Sequence, residues 1–399
     1  MPSICIYFQV HQPARLRKYS FLDDRRGKLE ELYFDDKLNE KVFNKVTEKC
    51  YMPTNKLLLE LIEKHRGRFK VSYSITGVFL EQCEKYRPDL LDTFRQLADT
   101  GCVDFLNETY FHSLCSLFSD PGKKEFHEQV EFHKSALKKL TGISPKVFRN
   151  TEALFSNEVA RLVEGMGYKG IVCEGIERVL GWRSPNYLYH VKGTKRIKLL
   201  MRNYRLSDDV AYRFSARWWS EWPLTADKYA AWLKGANGHI INLFMDYETF
   251  GEHQWADTGI FDFLRHFPEQ ALKYPELDFR TPSEVVEDYA PLGELDVPDV
   301  ISWADNERDA SAWLGNDMQR MAFNLLQELE GPVKALENKE YVHAWRLLQN
   351  SDHLYYLCTK CLADGDVHKY FSHYQNPYEG FINYMNILRD FKERIDRKK

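Results

Sequence analysis

His239-Ile240-Ile241-Asn242-Leu243-Phe244-Met245, followed at once by Asp246-Tyr247-Glu248-Thr249-Phe250-Gly251-Glu252-His253, is the stretch whose reading decides the fold. The first run is too short to span a membrane and is apolar on both faces. It therefore reads as a central strand of a parallel sheet, with Asp246 where the strand emerges. Three carboxylates and a histidine lie within the eight residues from Asp246 to His253. Packing gains nothing from such a cluster, because an ionised acid at a buried strand end must be paired, hydrogen-bonded or kept protonated. A cleft that does chemistry does gain from it.

Outward from this strand the same pattern recurs. Ser3 to Val10, Val71 to Thr76, Val103 to Leu106, Val147 to Asn150, Gly170 to Cys173 and Lys198 to Arg202 are further strand candidates, separated by helical stretches such as Asn55 to Lys64 and Glu125 to Leu140. With His239 to Asp246 this makes seven β/α units, enough to close a barrel, and Leu277 to Arg280 is a weak eighth. After the Pro291 to Pro298 loop only helical periodicity remains, in Ala310 to Leu329, Tyr341 to Gln349, His353 to Leu362 and Phe381 to Phe391. The expected architecture is α/β: an incomplete TIM-like (β/α)7 barrel over residues 1–295, then an α-helical bundle over 296–399 that contributes to the cleft.

The composition narrows the function. A net charge of −4 and 44% hydrophobic residues fit a folded chain with no electrostatic call for nucleic acid. No run approaches the roughly 20 apolar residues of a membrane helix, and Met1-Pro2-Ser3-Ile4-Cys5 shows no secretory leader, so a cytoplasmic protein is expected. Eight scattered cysteines read as reduced core thiols; Cys358-Thr359-Lys360-Cys361 has a suggestive spacing, but it lacks a second pair and falls in a helical pattern where both can pack. The aromatic complement, 25 Phe, 23 Tyr and 9 Trp, suits either an aromatic core or a cleft that stacks flat ligands.

Polar residues gather at the C-terminal ends of the proposed strands, where barrels place active sites. His11-Gln12-Pro13 ends the first, Asn107 to His112 the third, Arg149-Asn150-Thr151-Glu152 the fourth and Asp246 to His253 the seventh. Any one of these is accounted for as a helix N-cap; four in one mouth are not. Two carboxylates on different strands suit glycosidic bond cleavage, and Glu152 and Asp246 are the natural pair. Thr151 and Arg149 are expected to keep Glu152 ionised, and Glu248 and Glu252 to favour a proton on Asp246. Metal chemistry competes through His11, His112, Asp246 and His253, but there is no His-x-x-x-His, His-x-Asp or Glu-x-x-His at these strand ends, so no metal or cofactor is expected. A nucleophilic serine finds no Gly-x-Ser-x-Gly.

At these residues the chain resembles glycoside hydrolase family 57, within it the α-amylase group. The likeness rests on His11-Gln12-Pro13, Phe148 to Glu152, Asp246 to His253, Ser302-Trp303-Ala304-Asp305-Asn306-Glu307-Arg308-Asp309, Trp313 to Asn316, Ser351 to Tyr356 and Asp364 to Phe371. It implies a seven-stranded barrel with a helical C-terminal domain, and retaining hydrolysis of α-1,4-glucosidic bonds in starch, glycogen or maltodextrin. Glu152 falls on the family's nucleophile and Asp246 on its acid/base. His11, Trp303, Asp305 and Glu248 match positions that line the sugar site, Trp303 being the best stacking candidate; His253 and His353 join them as substrate-binding candidates. A 4-α-glucanotransferase using the same site, or a catalytically silent glucan-binding protein, is the alternative.

Overall fold

In the computed structural model, which describes residues 2–20, 22 and 26–398, seven parallel strands form the wall of an incomplete barrel. They are β1 (Ser3–Val10), β2 (Val71–Ile75), β3 (Val103–Phe105), β4 (Val147–Arg149), β5 (Gly170–Glu174), β6 (Lys198–Arg202) and β7 (Ile240–Asp246). They coincide with the seven apolar runs read from the sequence. Each is short and almost wholly buried, as expected of strands enclosed by helices on one side and packed side chains on the other.

The wall consists of two sheets, ordered β3-β2-β1-β7 and β4-β5-β6, joined edge to edge. One joint is a parallel bridge between Asn107 and Phe148, with Arg149 N–H donating to the Asn107 carbonyl at 2.8 Å. The other, between β6 and β7, has few bonds: Asn203 N–H to the Asn242 carbonyl and Asn242 Nδ2 to the Met201 carbonyl, each 2.9 Å. Buried Asn242, a break in the apolar run, thus serves as the clasp of this seam. The weak eighth candidate exists only as Asp278–Phe279, paired to the start of β1 on the edge opposite β7, and Thr281 then caps the helix Pro282–Asp288 with a full capping box.

Beyond Leu295 the elements are helical. Two helices expected to be continuous are broken. The stretch 310–329 divides into Ser311–Leu314 and Asp317–Glu328 because Asn316 caps the second piece, with Gln319 closing the capping box. The stretch 353–362 is not one helix either: Ser351–Tyr355 ends early, 356–361 is irregular, and Leu362–Phe371 begins anew. The Cys358-x-x-Cys361 pair therefore lies in a connection, with Cys358 buried and Cys361 exposed. These helices share one apolar core with the β4-β5-β6 sheet, where Phe148, Ile171 and Leu199 belong to the same buried cluster as Trp313, Trp345 and Phe391. That shared core fixes the bundle over one side of the barrel mouth. No helix among the described residues is long and apolar enough to cross a membrane.

Candidate active site

Parallel register brings the strand ends to one rim. Gln9 of β1 lies opposite Asp246 of β7 and Val10 opposite Ile75 of β2, so His11, Thr76 and Asp246 leave the sheet at the same level. Beyond β7 the chain turns sharply at Gly251, whose φ is +114°; a Cβ there would sit 2.0 Å from the Lys49 carbonyl. Only glycine fits there.

Glu152 follows β4 in a tight turn and has φ +56°, a left-handed conformation costing a non-glycine residue about 1–3 kcal/mol. His112, Ala153, Asp305 and Arg308 share that region, so five of the eight such residues among those described cluster here. What offsets the cost at Glu152 is a set of donors. His112 Nε2 lies 3.1 Å and Ser351 Oγ 3.0 Å from Oε1, and the Trp303 indole N–H reaches Oε2 at 3.0 Å. His112 is in turn held at Nδ1 by Glu108, 3.1 Å away, and its ring stacks on His11 at 4.0 Å.

The electrostatics follow from these contacts. Burial alone would lower the His112 pKa, yet its bonds to Glu108 and Glu152 raise it to about 9. Burial would raise both glutamates, but the His112 bond and charge, with Arg149, hold Glu152 below its ordinary value and Glu108 at about 2. Arg149 lies fully buried, its guanidinium 3.7 Å from Glu108 and over the Trp303 ring at 4.8 Å. Two anions and two cations thus balance.

Asp246 has no such company. No side chain among the described residues donates a hydrogen bond to its carboxyl, and burial, then the negative charge of Glu152, raise its pKa to about 6. Glu248 is pushed further, to about 8, by burial and by Asp246, and accepts a hydrogen bond from Tyr51.

Two expectations about the neighbours need correction. Thr151 does not hold Glu152; its hydroxyl bonds Thr109. Glu252 does not face Asp246; it pairs with Lys45 and Lys49 from a helical segment packed outside the rim. Arg149 does supply the expected positive field.

The other candidates divide. His11 is in the mouth, its ring nitrogens paired with Thr76 at 2.8 Å and Asp352 at 3.1 Å, and burial with the His112 charge lowers its pKa. Trp303 is there too, but its N–H is committed to Glu152 and its ring carries Arg149 and, at 5.9 Å, Arg202. His253 stacks edge-on against Phe371, and burial takes its pKa to about 4. Asp305 turns away from the two carboxyls, toward His368 at 3.0 Å and Lys360 at 2.8 Å. His353 is buried against Tyr384 with neither ring nitrogen paired. The residues beside it, Ser351 and Asp352, reach Glu152 and His11.

The sequence assigned no role to Glu108, Ser351 or Asp352, and pointed to His112 only as a competing metal ligand. Glu108 and His112 were signalled by polar residues directly after an apolar strand. Ser351 and Asp352 lie in a stretch that carries the family likeness, but nothing local pointed to their partners, since only the fold brings a helix about 200 residues downstream to Glu152.

A model of glycosyl hydrolase family 57 matches residues 5–298. A Methanocaldococcus jannaschii protein named "Putative alpha-amylase" is 49% identical over 402 residues, covering 98% of this chain and 84% of its own. Among solved structures, a GH57 branching enzyme from Thermococcus kodakaraensis superposes with a TM-score of 0.71 at 14% identity, over 99% of this chain and 90% of that one. A 4-alpha-glucanotransferase from Thermococcus litoralis gives 0.65 at 17% identity, over 88% of this chain and 56% of that one. At such identities the structural likenesses speak for the fold.

Proposed function

Because the chain belongs to glycosyl hydrolase family 57, we propose that it is a retaining α-glucan hydrolase, cleaving α-1,4-glucosidic bonds of starch, glycogen or maltodextrins with Glu152 as nucleophile and Asp246 as acid/base. The observation that carries the reading is the unlike surroundings of two carboxyls in one mouth, with three side-chain partners on Glu152 and no side-chain donor to Asp246 among the described residues. Glu152 is held ionised by donors and Asp246 is held protonated toward about pH 6 by burial. A double displacement needs that division.

Glu152 attacks the anomeric carbon as the glycosidic C–O bond breaks, and the proton of Asp246 passes to the leaving oxygen. Asp246, now ionised, takes a proton from water, whose oxygen displaces Glu152. Through Trp303, Ser351 and His112 the carboxylate keeps its orientation, while His11 and Glu248 lie at the rim as substrate-binding groups. Family membership and the M. jannaschii relative support the α-glucan as substrate. We also take residues 1–295 as the catalytic domain and 296–399 as a domain completing the cleft, a division supported by the contacts of Ser351 and Trp303 with Glu152. A cytoplasmic setting is supported by eight cysteines, all unpaired in the structure.

Incubation with maltoheptaose tests the proposal. Shorter maltooligosaccharides of initially α-configuration are expected. Longer oligomers would assign a 4-α-glucanotransferase instead, and binding without turnover a silent glucan-binding protein.

A further inference from the structure

The Cys358-x-x-Cys361 segment is not used by this mechanism, and the fold gives it new neighbours. Asp305, from the loop that follows Trp303, and His368, from the helix Leu362–Phe371, meet the thiol of Cys358 with all three ligand atoms within 4.8 Å of one another. We propose that Asp305, Cys358 and His368 form a binding site for a transition-metal ion of the zinc class, which ties this helix to the Trp303 loop.

The donor set suits such an ion: one soft thiolate, one imidazole and one carboxylate, from three separate segments. The site is enclosed, since Cys358 and His368 are each 4% exposed. His368 has the support that metal-bound imidazoles have. Its Nδ1 donates to the Tyr355 carbonyl at 3.3 Å, leaving Nε2 toward the proposed ion, and the Tyr355 ring stacks on it at 3.7 Å. Asp305 is divided between two partners. Lys360 binds Oδ2 at 2.8 Å, whereas Oδ1, 3.1 Å from His368 Nε2, is free of the ammonium. Metal–ligand bonds of about 2.0–2.3 Å space tetrahedral neighbours by roughly 3.3–3.8 Å, so the His368–Asp305 pair, now 3.0–3.1 Å apart, has to open slightly, and no separation within the set exceeds 4.8 Å. Lys360 opposes the ion's charge, but it keeps Glu307 at 2.7 Å and Ser311 at 3.0 Å if it leaves Asp305.

Binding forms three metal–ligand bonds. It releases two protons to solvent, one from the Cys358 thiol and one from the imidazolium His368, with no change of oxidation state; water fills the fourth position. The same helix packs Phe371 against His253 beyond β7, so the ion would steady that wall of the cleft.

The test is titration of the metal-depleted full-length protein with Co2+ under reducing conditions, read by absorption. One equivalent with a thiolate-to-cobalt charge-transfer band is expected. The band should be abolished in Cys358→Ser, affinity weakened at least ~10-fold in His368→Gln, and both retained in Cys361→Ser. Absence of a band, its survival in Cys358→Ser, or its loss only in Cys361→Ser overturns the site. Displacement of cobalt by Ca2+ also overturns it, moving the ion to the oxygen cluster of Asp305, Glu307 and Asp364. Should the serine variant fail to fold, X-ray absorption of the zinc-loaded wild type decides: one sulfur neighbour is expected, and a shell of oxygen and nitrogen alone contradicts the proposal. Maltooligosaccharide cleavage is not the readout, so this site and the hydrolase reading fail independently.

Discussion

Glu152 and Asp246 end two strands of one barrel and share one mouth, yet their pKa values are pushed in opposite directions. On the β4 side every feature supplies donors: His112, Ser351 and Trp303 bind the Glu152 carboxylate, and Arg149 lies behind them. On the β7 side no side chain among the described residues donates to Asp246, Glu248 has Tyr51 as a side-chain donor, and burial prevails for both. Desolvation raises a carboxyl pKa wherever it acts; hydrogen bonds to the charged form decide whether that rise survives. The asymmetry is thus made by partners, most of them remote in sequence.

The largest effect comes from removing either member. Glu152→Gln is expected to lower kcat/KM by at least ~10⁴-fold, the scale of losing a nucleophile. Asp246→Asn should cost about 10²–10⁴-fold on maltooligosaccharides and far less on an α-glucosyl fluoride, whose leaving group needs no proton. Equal losses on both substrates would remove Asp246 from proton transfer.

The pH profile sharpens the comparison. Activity requires Glu152 ionised and Asp246 protonated. The rate therefore rises through a Glu152 midpoint below the usual carboxylate range and falls as pH rises through about 6. Glu152→Gln removes the charge that helps raise Asp246, so in that variant the Asp246 midpoint, followed by carboxyl infrared titration, should fall. An unchanged midpoint would leave burial as the sole cause.

Removing one donor has a smaller effect. Ser351→Ala and Trp303→Phe each delete one hydrogen bond to a charged group, worth about 1.5–3 kcal/mol. The acid limb of the profile should move up while the limb near pH 6 stays. Movement of both limbs would mean that the two carboxyls do not have separate environments.

The smallest expected effect is on stability. The folded pKa of Asp352 is depressed to about 2: burial opposes ionisation, but His11 outweighs it. Its contribution is present above the unfolded carboxylate value and lost as pH falls toward 2. The urea midpoint of Asp352→Asn should lie below that of the wild type at pH 6 and converge with it near pH 2. His112, raised to about 9, acts in the other direction: its contribution is full below the ordinary imidazole value and lost as pH rises through 9.

The sequence revealed the strands because each is an apolar run too short to be anything else, and revealed Glu152 and Asp246 because polar residues at such exits have no packing role. The bundle's contribution was hidden. Adjacent helical residues point about 100° apart, so Asp352 faces His11 while His353, the more conspicuous side chain, turns into the core against Tyr384. Trp303 reads as a ring surface for sugar, but the position of its N–H relative to Glu152 depends on a loop conformation that local sequence does not encode. Likewise, helical periodicity runs through 310–329 and 353–362 regardless of the cap at Asn316 and the early end at Tyr355.

The central claim, that Glu152 is the ionised nucleophile and Asp246 its proton partner, is tested most directly by trapping the covalent intermediate. The protein is incubated with a fluorinated α-glucosyl fluoride, digested and mapped by mass spectrometry. The account predicts one glycosyl ester on Glu152, accumulating in the wild type and absent from Glu152→Gln; an adduct on Asp246 or Glu248, or an inverted product formed without any adduct, would contradict it.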